Sequence, residues 1–497
     1  MGSNNVLLQA IGWLATELGL QTMRSAGKDV YIVIFARYIR LFAYGAVALV
    51  LAVYFKELGF SDEQIGLFMT LTLLGDVIVS LLLTLVADSL GRRRTLFLGA
   101  AAMAVSGAVF ATTRSYVALL LAAIVGVISP SGNEIGPFRA VEESTLAHLV
   151  PEAQRSDVYT WYVVLAVLGT STGLAVGGVS VDTLQAREGW TDLDAYRAIF
   201  WVYTGVGCLK AIMTLFLSQN CEHKDWTGGR SSPAETEPLL NGNANGNGDT
   251  GVESANSDSQ SPKPKKRTKR FWHSLTTISK PSRIVLFKLC SLFFLDSLGS
   301  GMVPFSLINY YMERKFHLPK GKLGGIMSAT WFVSTIGNVF AASLAKRLGL
   351  IQAMVITHLP SSIFLALLPV PPGLAVTICL LVGRSILNSM DQAPRSAFLA
   401  LVVLPEERTA VMGVVNILKT LSQSCGPSFT GILAGREHFW VAFVAAGSLK
   451  ATYDFLLLAF FGGRVQGKAE VDGEGEVEDD EAPLVGATSP DEPARIR

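Results

Sequence analysis

Phe200-Trp201-Val202 followed by Gly207-x-Leu209-Lys210-Ala211 returns as Phe439-Trp440-Val441 followed by Gly447-x-Leu449-Lys450-Ala451. Both copies lie in strongly apolar runs. A lysine inside such a run is rare, and here it occurs twice at one register. Working outward, Glu134-Ile135-Gly136-Pro137 is echoed by Asp391-Gln392-Ala393-Pro394. Pro151-Glu152 with Arg155 is echoed by Pro405-Glu406 with Arg408, and Tyr54 with Gly66 by Tyr310 with Gly324. The chain is an internal duplication of apolar segments. Two such halves facing each other place a solute site at their interface, which is a carrier architecture.

Composition agrees. Of 497 residues, 50% are hydrophobic and 16% charged, against about 25% charged in soluble domains; mean hydropathy is +0.40. A spanning helix needs about 20 largely apolar residues. Twelve segments qualify, near 36–56, 64–87, 95–113, 116–136, 158–180, 197–218, 285–311, 324–345, 350–370, 374–394, 410–434 and 438–461. The expected fold is an all-α integral membrane protein of two pseudo-symmetric six-helix bundles, with the lipid bilayer as its solvent. The division is residues 1–30 as a cytosolic N-terminal segment, 31–218 and 283–463 as the bundles, 219–282 as a disordered cytosolic loop, and 464–497 as a disordered acidic cytosolic tail. The loop is rich in Pro, Ser, Asn and Gly, which cannot bury a core. Val6–Leu20 contains Glu17 and lacks a basic flank, so it does not read as a signal peptide.

Lys and Arg in short loops set orientation. Arg92, Arg93, Arg94, Arg155, Lys346, Arg347 and the run Lys263–Arg270 all fall on one side, which is expected to be cytosolic; Arg314, Lys315, Lys320 and Lys322 run against the rule. The net charge of +1 and the balance between that basic run and the acidic tail give no nucleic-acid footprint. Cys208, Cys221, Cys290, Cys379 and Cys425 are scattered without metal-site spacing.

Between spans two and three stands Thr84-Leu85-Val86-Ala87-Asp88-Ser89-Leu90-Gly91-Arg92-Arg93-Arg94. It resembles the G-x-x-x-D-R-x-G-R-R loop of the major facilitator superfamily, with Thr84 for the first glycine and Ser89 for the first arginine. The resemblance runs over nearly all of residues 30–463 and implies twelve spans in two bundles. It also implies that Asp88, Gly91, Arg92 and Arg93 latch the halves on the cytoplasmic side. Asp88 is suited to a neighbouring helix N-terminus, where the macrodipole favours an anion. The second copy, Ala345-Lys346-Arg347-Leu348-Gly349, lacks the acid. Span five carries Gly169-x-x-x-Gly173-Leu174-x-x-Gly177-Gly178, similar to the family's antiporter signature except for Leu174 in place of proline. Small residues four apart also simply let helices approach closely.

Ionisable residues within a span are costly and mark function. Glu134, Asp391, Asp76 and Asp296 are the candidate proton-coupling acids. Pro130, Gly132, Gly136 and Pro137 are expected to break span four beside Glu134. Asp76 and Asp296 have no base three or four residues away; each is protonated, hydrated or paired across helices, Asp76 with Arg37 or Arg40 as one option. Asp391 has Arg395 and Glu142–Glu143 have Arg139 at helical spacing. Lys450 has Asp454 at the same spacing, which reads as self-neutralisation. Arg37 and Arg40 are expected to snorkel to the headgroups, and His358 to pack. Arg139, Arg384, Lys419 and Lys210 are the candidate cavity cations; Lys210 has only Thr214 four residues on and needs another partner.

No nucleotide-binding, metal or cofactor motif and no nucleophile–base arrangement is present. The expected function is gradient-driven secondary transport of a small organic solute, with the proton as coupling ion and efflux or exchange favoured over uptake. Proton symport for uptake, and a non-transporting nutrient sensor on the same fold, stay open. Glu235-Thr236-Glu237-Pro238-Leu239-Leu240 fits an acidic dileucine signal for sorting adaptors, which leaves the plasma membrane and the vacuolar or lysosomal membrane as locations.

Overall fold

The structure, a computed structural model, describes residues 20–126, 128, 137–151, 154–222, 280–391, 394–395, 398–399, 402–403 and 408–478. Among them every long element is a helix. The first half holds α1 (Leu20–Ser25), α2 (Lys28–Glu57), α3 (Asp62–Leu90), α4 (Arg92–Thr112), α5 (Tyr116–Gly126), α6 (Pro137–Leu149), α7 (Arg155–Gln185) and α8 (Asp192–Leu215). A 3₁₀ turn, Gln219–Cys221, follows and packs its Cys221 into the first half. The second half holds α9 (Lys280–Met302), α10 (Phe305–Phe316), α11 (Lys320–Leu348), α12 (Leu350–Leu367), α13 (Leu374–Met390), α14 (Arg408–Gly435) and α15 (Phe439–Glu478).

Among the described residues, seven helices are long and apolar enough by themselves to cross a membrane, with α5 and α13 as shorter apolar helices at the fourth position of each half. The long helices α3, α11 and α14 complete the six-and-six plan. In the region of span four, α5 is described up to Gly126 and α6 from Pro137; the expected break beside Glu134 lies outside the described residues. The seventh span is not one helix over 285–311: Val303-Pro304 divides α9 from α10. Proline has no N–H to continue a helix but suits the start of a new one. Large apolar side chains such as Phe216, Phe287 and Phe455 face outward, which fits a hydrocarbon surround.

The two faces of the molecule differ. At the face carrying the turn at Gly59, one core is shared by both halves. It joins Tyr54, Phe55, Phe110 and Phe200 to Tyr311, Phe439 and Phe443. At the face carrying Gly91, each half has a core of its own: Val33, Leu146 and Tyr162 in the first, Phe293, Met354 and Phe398 in the second. The seams between halves are α3 against α14, α7 against α11 and α10 against α2. A Cβ on Gly173 would collide with the Phe42 carbonyl of α2, and one on Gly178 with the Lys320 carbonyl of α11. Gly169 and Gly177 likewise receive α2, at Tyr38 and Ala46. The glycine row of α7 therefore serves two seams, one within the first half and one between halves.

Candidate functional site

Each half encloses a cluster of charges at membrane depth. In the first, Glu142 on α6 is 1% exposed. Its carboxylate accepts from Arg40 of α2 at 3.0 Å, Lys210 of α8 at 3.0 Å and the Tyr162 hydroxyl of α7 at 2.9 Å. Arg37 lies 3.8 Å from the same carboxylate and 3.8 Å over the Tyr162 ring. In the second, Asp296 on α9 accepts from Lys450 of α15 at 2.7 Å and from Arg395 at 2.8 Å. Arg395 also pairs with Asp391. Buried charges persist only when paired and hydrogen-bonded, and both clusters meet that condition.

The clusters are related by the repeat but with charges exchanged. Lys210 and Lys450 occupy matching places, and each pairs with an acid on another helix. The register that aligns Tyr54 with Tyr310 sets Arg40 against Asp296, a cation against an anion. The acid comes from the fourth span in one half and from the first span of the other.

Several expectations are corrected by this geometry. Arg37 and Arg40 do not snorkel; Arg37 is buried, and both turn inward because Glu142 offers a counter-charge that lipid does not. They therefore pair with Glu142 and not with Asp76. Lys450 is not neutralised by Asp454 one turn on, but by Asp296. Asp454 instead faces His358, which is a polar partner and not a packing residue. Arg139 pairs with Glu143 one turn on, at 2.6 Å, and is exposed. Lys210 finds its missing partner in Glu142, 68 residues away.

Asp76 on α3 is 5% exposed; it makes no ion pair among the described residues, and its Oδ1 has no hydrogen-bond partner. Asp391 keeps one oxygen without a partner beside its bond to Arg395. Lys419 lies 5.1 Å over the Phe293 ring, within electrostatic reach of Asp296 and Asp391. Arg384 is half-buried on α13 and makes no ion pair among the described residues. Glu134 and the segment Glu235–Leu240 lie outside the described residues, as does the side chain of Asp88.

Between α3 and α4, Gly91 adopts φ +88°, which an L side chain rarely adopts. The anion at the start of α4 is Glu222, accepting from the backbone N–H of Arg92 at 2.8 Å and of Arg93 at 3.1 Å. Sequence reading missed it because it follows the sixth apolar span by only a few residues and looks like linker.

On the Gly59 face, polar contacts join the halves. Asp62 of α3 accepts from Tyr310 at 2.8 Å and Arg314 at 3.1 Å, and Arg314 reaches Glu437 at 2.7 Å. Asp182 of α7 accepts from the N–H groups of Lys320 and Gly321, both at 2.8 Å, capping α11 from the other half. Asn309 donates to the Ala48 carbonyl at 3.0 Å, and Ser428 donates to Thr70 at 2.7 Å. Nearer mid-span, Ser171 of α7 donates to the Ser328 carbonyl of α11 at 3.0 Å.

Two bundles built on a repeat, charges buried between helices and a closed seam on one face are the architecture of a membrane transporter. The chain belongs to the Major Facilitator Superfamily, whose family model matches residues 33–282 and 289–490. It is an integral, multi-pass small-molecule transporter on that fold, a non-catalytic carrier. It is 35% identical over 451 residues to the uncharacterized membrane protein YJR124C of Saccharomyces cerevisiae, covering 88% of this chain and 95% of that one. Among solved structures it is similar in fold to the nucleoside transporter NupG, with TM-score 0.62 and 14% identity over 88% of this chain and 99% of that chain. It also resembles a D-xylose–proton symporter, with TM-score 0.63 and 12% identity over 87% and 97%.

Proposed function

We propose that this protein is a proton-linked carrier of a small organic solute, working by alternating access of its two halves, with efflux or exchange as its direction. The observation that carries the proton is Asp76. A carboxylate at membrane depth with neither an ion pair nor a full set of hydrogen bonds is held at the least cost as the neutral acid. A group that must be neutral when enclosed and can ionise when hydrated changes its proton content as access alternates. Asp391, with one unpartnered oxygen, is the second acid. Asp296 has a fixed structural task instead, since two cations already neutralise it. Glu134 stays a candidate on sequence grounds.

Positive loops put the Gly91 face in the cytosol. The described state is then closed to the outside and has its separate cores toward the cytosol. Closing the cytosolic side falls to Asp88, Gly91, Arg92 and Arg93, with Glu222 holding the start of α4. The glycine pattern of α7 supports exchange. The acidic dileucine segment supports delivery to a vacuolar or lysosomal membrane by sorting adaptors. Mislocalisation on joint Leu239→Ala and Leu240→Ala substitution is the expected result, and an unchanged distribution removes that reading. Coupling and direction are tested together in vesicles holding the purified chain, with a solute panel and the pH gradient imposed in either sense. Solute movement against its own gradient only when the pH gradient opposes it supports exchange; movement indifferent to pH refutes the proton link.

A further inference from the structure

One buried titratable group takes no part in the reading above. His358, on α12, is 1% exposed. Its Nδ1 lies 2.9 Å from both carboxylate oxygens of Asp454 on α15. Its Nε2 lies 3.5 Å from Asp296 Oδ1 on α9, and the Tyr453 ring meets it edge-on at 5.5 Å.

The charges around it can be assigned helix by helix. From α9 comes Asp296; from α15 come Lys450, Tyr453 and Asp454. Asp391 and Arg395 stand behind Asp296, and Lys419 of α14 is within electrostatic reach of the same acids. On α13 the charged residue is Arg384, whose carbonyl accepts from Ser361 at 3.1 Å. The described charged side chains of α11, which also touches α12, are Lys320, Lys322 and Arg347 at its two ends.

Asp296 is neutralised by Lys450 and Arg395. Asp454 is different: it is 0% exposed, and His358 is its one described ionic partner. A neutral imidazole carries one N–H and one lone pair. Beside an ionised Asp454, either tautomer leaves a ring lone pair facing a carboxylate and leaves an enclosed negative charge without a cation. Adding one proton removes both costs, whether it resides on the ring or on the carboxyl, since such a pair titrates as a unit.

We propose that the His358–Asp454 pair is a second proton-binding site of the carrier, holding one exchangeable proton while α9, α12 and α15 are in contact and losing it to water when that contact opens. The inference rests on the proton-linked reading and adds a site to it. On release the proton passes to water entering beside α9, and the pair is left with a net charge of −1. That charge needs hydration, so α9 and α12 part. Binding the proton again restores a neutral pair and closes the contact. A one-proton linkage moves the equilibrium by up to about tenfold per pH unit.

The test uses the full chain in nanodiscs without added solute. Spectra of ¹⁵N-histidine-labelled protein at pH 7 report the ring, and infrared difference spectra report the Asp454 carboxyl. We expect either both ring nitrogens protonated or a protonated Asp454 carboxyl. A ring with a single N–H beside an ionised Asp454 overturns the proposal. Spin labels at Ser25 and Arg347, both exposed toward the Gly91 face, follow the halves against pH. The double variant His358→Gln and Asp454→Asn keeps a hydrogen bond but cannot titrate. It is expected to lose at least half of the pH-dependent change in label distance. His358→Gln alone serves as a second variant if the double one unfolds. Full pH dependence in these variants, together with its loss in Asp76→Asn, overturns this site and leaves the proton-linked reading standing. No pH dependence in the unsubstituted protein overturns both.

Discussion

Asp182 offers a sharp test of how the closed seam is held. The first N–H groups of any helix lack partners within it, and α11 begins just after Pro319, which has no side-chain acceptor. The missing acceptors come from Asp182 of the opposite half, 2.8 Å from each of two N–H groups. This cap exists only while the Gly59 face is closed. Asp182→Ala removes it, and loss of an N-cap acceptor costs about 1–2 kcal/mol. That shift corresponds to a roughly 5–30-fold rise in the ratio of open to closed outer face. Asp182→Asn keeps one acceptor oxygen and is expected to do less. Spin labels at Glu188 and Gly373, both exposed near this face, read the two populations by pulsed electron resonance in nanodiscs. A distance distribution in Asp182→Ala identical to that of the unsubstituted protein, with folding intact, refutes the idea that this contact sets the closed state.

Other outcomes follow from the buried clusters and seams. Glu142→Gln leaves Arg40 and Lys210 without their common anion and is expected to cost about 3–5 kcal/mol, seen as a lower melting temperature in detergent; combining it with Lys210→Met is expected to recover part of that loss. Gly173→Leu drives a side chain into the Phe42 carbonyl and is expected to destabilise by about 1–3 kcal/mol or more, read by thermal unfolding, whereas Gly205→Leu, with open space around it, is expected to be tolerated. The Cys221 thiol is pushed up to about 12, chiefly by burial and then by the Asp29 carboxylate, so little thiolate exists at pH 7 and maleimide labelling is expected to be slow; Glu222→Gln weakens the cap on α4 and is expected to speed it several-fold.

The fold was legible because lipid enforces it. Twelve apolar stretches, a repeated lysine and glycines four apart are local patterns, and local patterns survive in one dimension. The spacing of Gly169, Gly173 and Gly177 announced a close helix contact, and α2 lies there. The ion pairs were less legible. Lys450 and Asp454 have ideal spacing for an intrahelical pair, yet Lys450 points to α9 and Asp454 to α12. In water, neighbours along a helix surface are the nearest partners. In a bilayer the enclosed charges turn inward, and partners come from helices far away in sequence, as with Asp296 and Lys450. The same cause hid the bond between Arg40 and Glu142, since nothing local marks which helices will meet. Glu222 was missed because an acid in a polar loop carries no signal until the N-terminus of α4 is placed beside it.

The most direct measurement of the central claim is solute-driven proton movement in vesicles containing the purified chain, compared between the unsubstituted protein and Asp76→Asn. A pH-sensitive dye inside the vesicles follows protons while a labelled solute from the panel is followed by filtration. Proton movement tied to solute flux is expected in the unsubstituted protein. Asp76→Asn is expected to abolish accumulation driven by the pH gradient and to spare solute exchange at equal pH. Undiminished gradient-driven accumulation in Asp76→Asn would contradict that claim.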